Sequence, residues 1–173
     1  VFVPAVLSYV LYNIPLLFEE TRLADYVMGR MGLVESNSPD LSEWEAMVDE
    51  IRRPKPVIRI ALVGKYVELH DAYTSVREAL YHAGSRNNRQ VEIEWIYSGD
   101  LEKDKGWERL RDVSGVVVPG GFGERGIEGK IKVARWAREN GVPYLGLCLG
   151  MQVMCIELAR SILGNDEANS TEF

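Results

Sequence analysis

The run Pro143-Tyr144-Leu145-Gly146-Leu147-Cys148-Leu149-Gly150-Met151-Gln152 carries the clearest chemistry in this 173-residue chain. A short apolar strand enters a cysteine that has glycines two residues before and two after, and an apolar helix follows at once. A thiol in that setting stands at the tip of a sharp strand-to-helix turn, the sulfur counterpart of the G-x-S-x-G nucleophile elbow. Small neighbours suit the tight turn and leave the sulfur open to approach. The helix beyond aims its free N–H groups and the positive end of its dipole at the sulfur, which favours the thiolate. A free cysteine is most often a small core hydrophobe. The paired glycines at a strand–helix junction favour the nucleophile reading for Cys148.

A second glycine-rich run is Pro119-Gly120-Gly121-Phe122-Gly123-Glu124-Arg125-Gly126. Gly121, Gly123 and Gly126 spell G-x-G-x-x-G between a strand and a helix, the form of the dinucleotide fingerprint. The acidic residue expected about 20 positions on is missing, because the next strand ends in Gly146, Leu147 and Cys148. The motif also follows the third strand, not the first. A P-loop is excluded too, since Gly129-Lys130 is followed by Ile131 where Ser or Thr would stand. Glycine backbone lets N–H groups approach a ligand closely, and acyl transfer needs two such donors beside the nucleophile. Gly121 N–H and Leu149 N–H, on neighbouring strand ends, are the expected pair.

The elements that must hold these loops follow from hydrophobic period. Val57 to Val63 reads as a strand buried on both faces. Ala72 to Ala83 reads as a helix with Val76, Ala79, Leu80 and Ala83 inward. Strands follow at Val91 to Tyr97, Gly115 to Val118 and Tyr144 to Leu147. Helices are expected over Glu128 to Glu139, stopped by Gly141, and over Leu149 to Leu163, closed by Gly164. Strands alternating with helices imply an α/β fold with a doubly wound, mostly parallel sheet. Ligands on such sheets bind beyond the carboxyl ends of the strands, where Cys148 and the glycine loop both lie. Upstream, Leu16 to Met31 reads as one helix with Leu17, Leu23, Ala24, Val27 and Met28 on one stripe. Gly32 to Asp40 is a loop. Ser42 with Glu45 forms a capping-box pattern opening a helix to Arg52 with Trp44, Met47, Val48 and Ile51 apolar. Pro54 and Pro56 then end it. The expected divisions are 1–35, a linker over 36–56, and a main domain over 57–173.

Composition is that of an ordinary soluble protein, with 46% hydrophobic and 27% charged residues. A net charge of −6 argues against a nucleic-acid surface. Cys148 and Cys155 lie two helical turns apart, too far for a disulfide, which suits a reducing, cytoplasmic setting. The opening run Val1 to Phe18 has no charge, yet Pro4, Ser8, Asn13 and Pro15 interrupt it and no basic residues precede it. It reads as a piece of a larger core and not as a membrane span or secretory signal. The polar end, Asn165 to Phe173, lacks a closing element, so the chain is expected to be a fragment. Charged runs such as Glu102 to Lys105, and Arg135, Arg138 and Glu139 on their helix, read as solvated faces, and the lysines and acids look mostly exposed.

The two motifs together, Val116 to Gly123 and Gly146 to Gln152, resemble class I glutamine amidotransferases. Three further segments narrow the resemblance to the CTP synthase family. These are Ile60 to Tyr66 with Asp71-Ala72-Tyr73, then Arg125-Gly126 with Glu128-Gly129-Lys130, and Ala168 to Phe173. The similarity is placed over Ile14 to Phe173, with Pro15 to Glu20 matching the last helical stretch of a synthetase domain. The resemblance implies a flavodoxin-like glutaminase domain, preceded by that helical remnant. It implies a two-domain enzyme that uses ATP and magnesium to activate UTP and ammonia from L-glutamine to form CTP. Cys148 would be the nucleophile. Gly120, Gly121, Phe122, Leu149, Gly150, Met151 and Gln152 would form the oxyanion and glutamine-binding set. Family members are tetramers activated by GTP, and some assemble into filaments.

Three departures bound what the resemblance implies. The synthetase domain is almost absent, so no cofactor site and no metal site are expected in this chain. Val1 to Tyr12 does not match the family well. The chain ends before the family's catalytic His and Glu and a further glutamine-binding Glu and Arg. A cysteine amidase needs a base, and the two histidines are His70, in a loop on the ligand side, and His82, inside a helix. Neither inherits the base role, so the isolated chain is expected to be a poor glutaminase. A non-catalytic module that only contributes to subunit assembly is the alternative. Another cysteine α/β enzyme would share the elbow but not the Pro119 to Gly123 loop.

Overall fold

Two compact units, Val1–Pro54 and Lys55–Phe173, make up the computed structural model, which describes residues 11–33, 39–121 and 123–172. In the first unit a 3-10 turn at Leu11–Asn13 leads into α1 (Ile14–Glu20), α2 (Leu23–Met31) and α3 (Ser42–Arg52). The single helix expected over Leu16 to Met31 is therefore broken. The Thr21 hydroxyl donates back to the Leu17 carbonyl at 2.8 Å, and the Arg22 N–H tightens onto Glu19 O at 2.9 Å. Arg22 then turns left-handed, at φ 53°. Back-bonding by a hydroxyl is a local competitor of helix continuation, and hydrophobic period does not register it.

The capping box at Ser42 is also corrected. Ser42 is the first helical residue of α3, so the N-cap position falls on Leu41 and not on Ser42. Asp40 takes that duty, its carboxylate accepting the Ser42 N–H at 3.0 Å. That bond holds the Asp40 carboxyl below its usual range. On α3 the apolar face centres on the fully buried Val48, and the Trp44 indole N–H donates to Tyr12 O at 2.7 Å. The loop expected over Gly32 to Asp40 falls partly outside the described residues, at 34–38, as do the first ten residues of the uncharged opening run. Among the described residues no helix is long and apolar enough to cross a membrane.

The second unit alternates as its sequence predicts. It runs β1 (Val57–Gly64), α4 (Thr74–Arg86), β2 (Gln90–Tyr97), α5 (Ser98–Glu102), β3 (Gly115–Val118), α6 (Ile127–Glu139), β4 (Tyr144–Gly146) and α7 (Leu149–Leu163). Short 3-10 turns, His70–Tyr73 and Trp107–Leu110, precede α4 and β3. All strand pairs are parallel, in the order β2-β1-β3-β4. That is the start of the flavodoxin-like strand order. The α/β doubly wound fold is thus observed, as an open sheet of four strands with helices on both faces.

Alternation along the strands sorts the core. Ala61, Val63, Val116, Val118 and Ile96 point to one face, where Leu101, Ile127, Ile131, Val133, Leu149 and Val153 from α5, α6 and α7 cover them. Leu62 points to the other, against Tyr73, Val76, Ile93 and Trp95. The stripe expected for α4 is only half right. Val76 and Leu80 are half-buried, whereas Ala79 and Ala83 are exposed. The contact row runs on to Gly84, where an added Cβ would come within 2.6 Å of Val91 Cγ2. Burying each large side chain of such a core contributes roughly 1.5–3 kcal/mol.

Candidate active site

The parallel pairing of β3 with β4 sets Val118 opposite Gly146. Both chains then leave the sheet at the same carboxyl edge, one into Pro119-Gly120-Gly121 and the other into Leu147-Cys148. Cys148 is the N-cap of α7, with φ 53° and ψ −110°. A positive φ in a residue with a side chain is strained, and it is retained because both sides of the turn are fixed. Leu147 N–H donates to Val118 O at 2.9 Å, and Met151 N–H and Gln152 N–H donate to Cys148 O at 3.0 and 3.2 Å.

The flanking glycines are required by contact. A Cβ on Gly150 would lie 1.9 Å from Val118 O, and one on Gly146 would lie 2.4 Å from Gly150 O. The first turn of α7 therefore rests directly on the backbone of β3. The half-buried Tyr144 adds a tie, its hydroxyl donating to Gly150 O at 2.9 Å. The same burial pushes its ionisation well above the usual phenol range.

The structure brings the glycine loop to the thiol. A Cβ on Gly120 would sit 3.5 Å from Cys148 Cβ and 4.0 Å from Cys148 Sγ, and one on Gly121 would sit 3.8 Å from Leu149 Cδ2. Cys148 is exposed, so the sulfur is reachable. Leu149 N–H is the first amide of α7, where helix geometry leaves donors free and the dipole is positive. Gln152, one turn into α7, is half-buried, and its Oε1 atom is buried with no hydrogen-bond partner among the described residues. Gly150 is buried in the turn and Met151 is half-exposed. Phe122, the remaining residue expected in this set, lies outside the described residues.

The apparent dinucleotide fingerprint has a packing explanation in part. A Cβ on Gly126 would come within 2.3 Å of Ser98 Oγ, and one on Gly129 within 1.9 Å of Ser98 O. These glycines let α6 settle onto α5. On the neighbouring strand end, the Tyr73 hydroxyl accepts the N–H groups of Lys65 and Tyr66 at 3.1 and 3.2 Å. That shapes the loop after β1, and Lys65 Nζ there reaches within 3.6 Å of where a Gly123 Cβ would be.

The histidines stand elsewhere. His70 stacks on Trp95 with centroids 4.2 Å apart, over β2, the strand at the opposite edge of the sheet from β4. His82 is exposed on α4. Among the described residues no group of three His, Cys, Asp or Glu could hold a metal ion, and neither ATP nor magnesium is assigned a residue in this chain.

The named charged runs, Glu102 to Lys105 and Arg135, Arg138 and Glu139, are exposed as expected, and other charges are buried. Lys130 is 1% exposed and Glu157 is 2% exposed. Glu157 is paired with Arg138 from α6, Nη2 to Oε1 at 2.7 Å, and across the same helices Arg160 grips Glu128 in a bidentate pair at 2.8 and 2.9 Å. Lys130 lies under the glycine loop, where a Gly121 Cβ would meet its Nζ at 3.4 Å. Its spacing gave a signal that charge masked: Ile127, Lys130, Ala134 and Ala137 fall on the inward row of α6.

Residues 68–172 match the family model described as glutamine amidotransferase class-I. The chain is 53% identical over all 173 residues to a CTP synthase of Dehalococcoides mccartyi. It is 56% identical over 164 residues to a CTP synthase of Roseiflexus castenholzii, covering 94% of this chain. It covers 31% and 29% of those relatives, and so spans under a third of their length. The first match includes residues 1–12, so the similarity starts earlier than Ile14, where sequence motifs placed it. Among solved structures, the chain is similar to the glutaminase domain of Trypanosoma brucei CTPS with bound acivicin. The TM-score there is 0.62 and the identity 42%, over 67% of this chain and 46% of that one.

Proposed function

Because this chain belongs to the class I glutamine amidotransferase family, we propose that it carries the nucleophile and oxyanion side of a glutaminase site in a CTP synthase. The observation that carries the reading is the approach of Gly120 to the exposed Cys148 thiol, with Gly121 beside Leu149. In the proposed reaction the Cys148 thiolate adds to the side-chain carbonyl carbon of L-glutamine. The carbonyl oxygen becomes an oxyanion held by the Gly121 and Leu149 N–H groups, whose preorganisation supplies the stabilisation. Collapse breaks the C–N bond, and the nitrogen takes up the proton that the Cys148 thiol gave up and leaves as ammonia. Water then hydrolyses the glutamyl thioester, releasing glutamate and returning the thiol.

Gln152 fits the glutamine-binding role because its buried Oε1 has no partner among the described residues, and a bound amino acid would supply donors. Gly150 and Met151 complete the turn beside it, and Phe122 is assigned to the same set by family resemblance. In the whole protein the ammonia would aminate UTP to CTP, driven by ATP with magnesium. GTP activation, tetramer assembly and a cytoplasmic setting belong to the same reading. Residues 1–35 would be the end of the synthetase domain and 36–56 the linker.

The test uses acivicin, a glutamine analogue, with the modified residue located by peptide mass spectrometry. Wild-type chain should be modified at Cys148, glutamine should protect it, and Cys148→Ala should abolish labelling. Equal labelling of wild type and variant would sink the proposal. The base is a separate point. With His70 stacked on Trp95 and His82 on α4, the isolated chain should release little ammonia from glutamine, and rapid release would show that a base has been overlooked.

A further inference from the structure

Among the described residues, Lys130 is the largest fully buried side chain. It belongs to α6, yet its ammonium ends beneath the oxyanion loop, 3.4 Å from the place of a Gly121 Cβ. Among the described residues no carboxylate pairs with it. The neighbouring acid on its helix, Glu128, is taken by Arg160. The charge that faces Lys130 is Lys65, of the same sign, from the loop after β1. A buried ammonium without a counter-charge is costly. It is explained if negative charge arises beside it during the protein's work.

Such charge is expected on the other side of the same two glycines. Gly120 abuts Cys148 and Gly121 abuts Lys130. Consecutive Cα atoms are about 3.8 Å apart, so the path from Nζ through the glycine backbone to Sγ is at most roughly 14 Å. Resting on the nucleophile reading of Cys148, we propose that Lys130 is a buried counter-charge that stabilises the Cys148 thiolate and the oxyanion formed at Gly121. It touches neither atom and acts through the field across the glycine loop. At roughly 14 Å and an effective dielectric of about 20, one unit charge favours negative charge at that place by about fivefold to tenfold. Burial and Lys65 together bring Lys130 down to about 8, so the support is present at pH 7 and fades above pH 8.

The test is the rate of iodoacetamide alkylation at pH 7 in the full 173-residue chain, read separately at Cys148 and Cys155. Cys155 is also exposed and serves as the internal control. In Lys130→Met the thiolate population at Cys148 falls, partly offset by the greater nucleophilicity of a more basic sulfur. The net expectation is alkylation about threefold slower, with Cys155 unchanged and Lys130→Arg close to wild type. Lys130→Gln is the second neutral variant and serves the same comparison if Lys130→Met loosens the fold. Unchanged Cys148 rates in both neutral variants would overturn the proposal. So would equal slowing in Lys130→Arg, or parallel changes at both cysteines. Failure here is distinguishable from failure of the glutaminase reading, which would instead show as absent acivicin labelling of wild-type Cys148.

Discussion

Adding one methyl group at Gly150 tests the physical core of the site. In Gly150→Ala the new Cβ would stand 1.9 Å from Val118 O and 2.8 Å from Val118 C. Ordinary contact needs about 3.4 Å or more, so α7 must lift from β3 by roughly 1.5 Å. β3 cannot yield in its place, because it pairs on both sides, with β1 and β4. The same Val118 O accepts the Leu147 N–H at 2.9 Å, and that bond is lost or stretched. Overpacking costs about 1–3 kcal/mol, and a buried bond left unmade costs about 1–3 kcal/mol more. A loss of about 3 kcal/mol is expected, which lowers the urea midpoint by roughly 1–2 M. The displaced elbow carries Cys148 with it, and a misplacement of about 1 Å can lower a positioned reaction by about a hundredfold. Urea denaturation followed by tryptophan fluorescence reads the first effect. Acivicin modification kinetics at Cys148, in conditions where the variant is folded, read the second. A Gly150→Ala chain with the wild-type midpoint and labelling rate would refute the claim that α7 rests on the β3 backbone.

Three further outcomes follow from the same contacts. Lys130 is held at about 8 against about 10.4 in an unfolded chain, so the folded state binds fewer protons between those values. Wild-type stability should therefore rise from pH 8 toward 10.5 by about 2–3 kcal/mol, and Lys130→Met should be more stable at pH 7 with that slope removed; denaturation at several pH values checks both. The Tyr144 phenol is raised by burial, so the folded state resists its ionisation, and its own contribution to stability should be constant below pH 10 and be lost above it. Tyr144→Phe should cost about 1 kcal/mol at neutral pH, for the lost bond to Gly150 O, and show a smaller alkaline fall. Arg138→Ala leaves the Glu157 carboxylate buried with only Arg135, at 3.7 Å, beside it. Because Arg138 is itself half-exposed, water partly replaces it, so the drop in urea midpoint should be smaller than for removal of a fully buried partner, and Glu157→Gln in the same background should recover part of it.

The main domain was legible because its signals are local. Strand and helix periods of 2 and 3.6 marked β1 to β4, α6 and α7 within a residue or two of their observed ends. The errors occur where a side chain competes with the backbone or where burial depends on a distant element. The Thr21 hydroxyl breaks α1 from α2, and Asp40 replaces Ser42 as the cap, through bonds that hydrophobic period does not encode. Gly84 takes the contact assigned to Ala83, because the packing of α4 against β2 fixes which row meets Val91. The glycines at 126 and 129 mimic a phosphate-binding signature, yet their closest contacts are with Ser98, from an α5 that the sequence did not reveal.

Around Cys148 the division is sharper. Small residues at fixed spacing about a cysteine are enough to specify a strained elbow, since only glycine at 146 and 150 permits the turn. The amino-acid order alone therefore determined the thiol, its helix and the glycine loop as separate pieces. That the pieces meet was decided by the parallel register of β3 and β4, which sets both loops at one sheet edge with Gly120 against Cys148. The burial of Lys130 was decided there as well. A lysine on an amphipathic helix is normally free to reach water, and only the closure of the glycine loop over α6 removes that route.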